Sequence, residues 1–153
     1  MKALSENELR IGNLVHSKPY DYLVYKIKSI EHSIRFRVEG DYYLWVESIS
    51  KSERTVIPIQ TKGNYNIEQF APIPLTQEWM QKNGEKDENG DPFIYHSKEY
   101  DMRYYLNDKG FIQLTKGQTC PLLNYEHIIY VHLFQGLYFY ETGKELELSG
   151  ETR

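Results

Sequence analysis

Hydrophobic and polar positions alternate with period two along Ser33–Val38, with Ile34, Phe36 and Val38 on one face and Arg35 and Arg37 on the other, the spacing of a half-buried strand. Leu9, Ile11 and Val15 mark a first strand, interrupted at Gly12-Asn13 by a bulge or tight bend. Tyr22–Ile30 is β-branched and aromatic, with Val24, Ile27 and Ile30 as core candidates. The clearest hairpin pattern is Ser33–Val38, a turn at Glu39-Gly40-Asp41, and Tyr42–Ile49. Thr55–Ile59 reads as a further strand, pushed to a sheet edge by Pro58. Short sequential strands of this kind predict a bent antiparallel sheet, whose closed form would be an SH3-like barrel.

The polar stretch 60–71 reads as a loop leading into Pro72-Ile73-Pro74-Leu75-Thr76. Thr76 is placed to cap a helix over Gln77–Asn83, and Glu78 suits its first turn. Leu75 and Met80 occupy the two positions of a hydrophobic staple, and Gly84 fits the C′ position. Two turns are too short to persist alone, so Trp79 and Met80 must dock them. Phe93–Ser97, Met102–Leu106 and Phe111–Thr115 read as a β-meander, the last two strands joined by a turn at Asn107-Asp108-Lys109-Gly110. Ile128–Tyr130 reads as strand. A closing helix runs from about His132 to a cap at Gly143, apolar nearly all round and therefore expected to be buried, with Gly136 serving close packing. The expected fold class is α+β: a bent antiparallel sheet, a short helix, a β-meander and a buried C-terminal helix. At 153 residues this reads as a single domain with sub-modules 1–71 and 72–148.

Composition narrows the classes. Content that is 40% hydrophobic and 26% charged is globular, and 14 Tyr residues suit half-exposed strand positions or an aromatic binding surface. The net charge of −4 argues against bulk coating of nucleic acid. It is uneven: residues 1–75 carry 10 Lys+Arg against 9 Asp+Glu, residues 76–153 carry 8 against 13. A single cysteine, Cys120, excludes an intrachain disulfide and multi-cysteine zinc sites, and reads as a small buried hydrophobe. The first residues lack a signal-peptide pattern and no run reaches the ~20 apolar residues of a membrane span, so a cytoplasmic protein without membrane contact is expected.

Three segments resemble a family of small uncharacterised proteins of Bacteroidetes and their phages and prophages. Leu9-Arg10-Ile11-Gly12-Asn13 matches its opening LRIGN, and Pro72–Met80 is similar to its PIPLTEEWL signature. Val131–Leu146 is similar to its closing VHQLQNLYFALTGKEL, with Gly136, Tyr140 and Glu141 in place of Asn, Ala and Leu. The family has no assigned activity. The resemblance therefore implies a mobile-element context and an intracellular accessory role, with no catalytic residue to carry over.

Candidate chemistry is sparse. The five histidines lack metal-ligand spacing; the segment Asp87–Pro92 resembles a calcium loop only faintly and reads better as a hairpin turn. No catalytic, cofactor or metal residues are assigned. One candidate binding surface is the first hairpin, where Arg35 and Arg37 lie beside Tyr43 and Trp45 and could stack on bases or a peptide. Ordinary cross-strand packing explains the same residues. The second candidate is His132 with Gln135 on the less apolar side of the last helix, which a buried hydrogen-bonded pair would equally explain. A binding or accessory protein acting through an unknown protein partner is the leading expectation. A nucleic-acid-binding module and a cryptic enzyme are the alternatives.

Overall fold

The computed structural model describes residues 10, 12–17, 24–32, 42–48, 56–59 and 70–148. The chain divides into two compact units at the Ile73–Pro74 bond.

The first unit is a five-stranded antiparallel sheet: β1 (Leu14–Ser17), β2 (Val24–His32), β3 (Tyr42–Ser48), β4 (Val56–Ile59) and β5 (Phe70–Pro72), in the order β4-β3-β2-β1-β5. Gly12 and Asn13 form a turn ahead of β1, and Leu9 and Ile11, expected to open the first strand, lie outside the described residues. Gly12 has φ 95°, and the Arg10 amide donates to Asn13 Oδ1 at 2.8 Å. Val15 and Ile27 are fully buried. Pro58 lies on an edge strand, as its missing N–H requires. The stretch read as loop over 60–71 ends in β5, which pairs with β1 through Ser17↔Phe70 and Val15↔Pro72. No pairing of β4 with β5 closes the sheet among the described residues, so it is open and not a barrel.

The second unit packs two helices with a sequential meander. After α1 (Gln77–Asn83) come β6 (Glu85–Lys86), β7 (Pro92–Ser97), β8 (Met102–Leu106), β9 (Ile112–Lys116) and β10 (Cys120–Tyr125), in the order β10-β9-β8-β7-β6; α2 (Val131–Thr142) follows. The Thr76 hydroxyl accepts from the Trp79 amide at 3.1 Å, Met80 is fully buried and Leu75 nearly so, the staple expected of that segment. Gly84 departs from expectation. Its backbone is extended, at φ −113°, where any residue fits. A Cβ there would strike the Phe93 carbonyl oxygen and come within 2.8 Å of that of Met80. Glycine is required because α1 ends against the backbone of β7.

One face of the meander carries the core. Ile94, Tyr104 and Leu114 form a cross-strand row that is buried throughout, and Tyr104 meets Phe134 of α2 edge-to-face at 5.2 Å. Trp79 meets the same Phe134 at 6.2 Å, which docks α1. Ile128 and Ile129 form no strand of their own. Their carbonyls accept from Ile112 and Leu75, and Pro74 bridges Tyr130. α2 begins at Val131 and stops at Gly143, whose φ of 72° is the left-handed cap that glycine supplies. Val131, His132, Phe134 and Gln135 bury its first half, while Tyr140 in its last turn is 88% exposed. Among the described residues, no helix is long and apolar enough to cross a membrane.

Candidate functional site

The last turn of α2 is held from behind by one carboxylate. The Tyr104 hydroxyl donates to Glu141 Oε1 at 2.6 Å, and that of Tyr125 donates to Oε2 at 2.9 Å. A register shift between Tyr95 and Ser97 turns His96 onto the same face, its Nε2 4.0 Å from Glu141 and its ring 5.4 Å from Tyr104. Burial, reinforced by the Glu141 acceptor, pushes the Tyr104 phenol far above its ordinary range; the same causes push Tyr125 up to about 12. Both phenols therefore stay protonated donors at neutral pH, and Tyr104 has no exposed surface. The cluster acts as a clamp between β8, β10 and α2.

The clamp fixes which side of α2 looks outward. With Phe134, Tyr138 and Glu141 toward the sheet, helical spacing puts Gly136, Phe139, Tyr140 and Gly143 on the opposite stripe. Phe139 is 44% exposed and Tyr140 88%. Close packing against the described residues does not explain Gly136: apart from the helix's own backbone, none of them lies within 4 Å of a Cβ built there. The exposed part of the stripe carries no ionisable acid or base apart from the Tyr140 phenol; His132, one turn before Gly136 on the same side, is buried, and Glu141 is turned inward. A rigidly backed aromatic stripe with a gap beside it suits contact with another protein.

Two other regions are less suited. Leu122 and Leu123 are exposed on β10, but Pro121 and a register shift beside it break the strand's free edge, devices that discourage further pairing. On the opposite face of the meander, clefts of about 300 and 400 Å³ share Asp91, Tyr105, Leu106 and Asp108. The Asp87 carboxylate beside them is committed to its own hairpin turn, accepting from the Asn89 and Asp91 amides and from the Tyr105 hydroxyl, each at 2.9 Å. Arg103 is likewise engaged, forking onto Asp101 and lying 4.5 Å over the Phe93 ring.

The residues expected from sequence fare differently. Arg35 and Arg37, with the whole of Ser33–Val38, lie outside the described residues. Tyr43 and Trp45 lie on β3, whose partners are β2 and β4: Tyr43 pairs with Glu31, and Trp45 with Ser29 on one side and Pro58 on the other. Among the described residues, both edges of that strand are thus occupied, by Val24–His32 on one side and Val56–Ile59 on the other. His132 and Gln135 are 1% and 2% exposed, so neither offers itself as a surface; His132 stacks on Tyr130. Cys120 is exposed, not buried, because β10 lies at the sheet edge. Among the described residues, no group of three or more His, Cys, Asp or Glu could hold a metal ion. The signal for Tyr140 was present as its i+4 spacing from Gly136, but the apolar run around it read as core. Comparison with protein-family models, with curated proteins and with solved structures returns no match to this chain.

Proposed function

We propose that the protein is a non-catalytic accessory protein that works through protein–protein contacts in the cytoplasm. The observation that carries this reading is the uncharged aromatic stripe of α2, clamped to the sheet through Glu141 and presenting Tyr140 almost fully to solvent. A tyrosine held on a fixed backbone contributes contact area at little further cost in side-chain entropy. A reducing compartment suits the exposed Cys120 thiol, and the resemblance to small phage and prophage proteins supports an accessory role.

The test is site-specific photo-crosslinking in cells. A photoreactive residue at position 140 should give discrete protein adducts, whereas one at Asp108, on a solvated turn, should not. Equal yields from the two positions would overturn the assignment of the contact face.

A further inference from the structure

We infer that the protein seated on this stripe is a second copy of the chain, packed helix against helix so that Tyr140 of each copy enters the gap over Gly136 of the other. The inference rests on reading the stripe as a contact face.

Glycine in a helix interior is unfavourable, and no described residue demands it at Gly136: apart from the helix's own backbone, none lies within 4 Å of a Cβ there. The space it leaves lies outside the helix. Tyr140, one turn further along the same stripe, is 88% exposed. The gap and the projecting ring are thus ~6 Å apart along one helix axis, at ~1.5 Å rise per residue. A two-fold axis midway between them, with the helices antiparallel, brings each ring over the other copy's gap. An isologous interface needs this self-complementarity.

Charge permits the contact. The chain carries −4, yet the one carboxylate on α2 is turned inward to Tyr104 and Tyr125, so no like charges meet at the centre of the pair. Removing the side chain at 136 also allows the axes to approach at the short end of the usual ~8–10 Å range. Few aromatic side chains are involved, each able to bury ~150–250 Å². The interface falls below standard size, and a dissociation constant of ~10–100 μM is expected.

Sedimentation velocity on the full chain, over ~10 μM to ~1 mM, tests this across the expected range. Wild type should shift from monomer to dimer mass. Tyr140→Glu, which puts a charge at the centre, and Gly136→Leu, which fills the gap, should each weaken dimerisation at least ~10-fold without lowering thermal stability. A wild-type chain that stays monomeric at the highest concentration overturns the inference, as does a dimer that neither substitution weakens. Adducts from position 140 to a different protein, with wild type monomeric, would overturn the second-copy inference while sparing the contact-face reading. With no adducts at all, both readings fall.

Discussion

The Tyr104 hydroxyl meets Glu141 Oε1 at 2.6 Å, joining a fully buried strand residue to the last turn of α2. Removing the acceptor strands a buried donor, whereas removing the donor leaves a carboxylate still served by Tyr125. Glu141→Ala should therefore cost about 1–3 kcal/mol in urea denaturation, and Tyr104→Phe less. The reverse order would mean that the clamp contributes little to holding α2.

The same pair sets the response to alkali. The folded state raises the pKa of both phenols, Tyr125 to about 12, so it holds their protons more tightly than the unfolded chain does. Their contribution to stability is complete below the unfolded value of about 10 and is lost as pH rises through the folded values. Circular dichroism against pH should show unfolding setting in above pH ~10, and Tyr125→Phe should flatten the loss between pH ~10 and ~12. An unchanged profile in that variant would remove Tyr125 from the account.

Two glycines make opposite predictions. Gly136→Ala has open space and improves helix propensity, so it should stabilise the protein by about 0.5–1 kcal/mol. Gly84→Ala would drive a methyl group into the Phe93 and Met80 carbonyls and should destabilise by about 3 kcal/mol or more. Thermal melts of the two variants, moving in opposite directions, check both together.

Thr76→Ala removes the acceptor for the Trp79 amide and should cost about 1 kcal/mol. Amide exchange gives the direct readout: the Trp79 N–H should lose protection, while Leu114 in the middle of β9 should not.

The segment Pro74–Asn83 was legible because each of its signals acts within a few residues: the Thr76 cap, the Leu75/Met80 staple and the apolar pair that docks it. The turn at Asn107–Gly110 was legible for the same reason, since Asn107 Oδ1 accepts from the Lys109 and Phe111 amides. β10 was not. Cys120-Pro121-Leu122-Leu123 has a proline and no alternation, and it becomes a strand only by pairing with β9. The pairing of β3 with Val24–His32 is not legible from periodicity, which marks strands without choosing their partners. The exposed stripe of α2 was hidden by composition. Phe139 and Tyr140 look like core on a helical projection, and only the clamp at Glu141 decides which side faces the sheet.

The bridge between Pro74 and Tyr130, with the neighbouring Leu75 amide donating to the Ile129 carbonyl, bears on the order of folding. It ties the first residues of the second unit to those that open α2, with the entire meander between. Loop-closure entropy is lowest once the intervening strands have paired, so this contact belongs late on the route. During synthesis the hairpins can form as they emerge, but the unit closes only after Tyr130 has left the ribosome. Until then the α2-facing side of the meander, with Tyr104 at its centre, lacks its cover, and that interval is when the nascent chain is most open to aggregation.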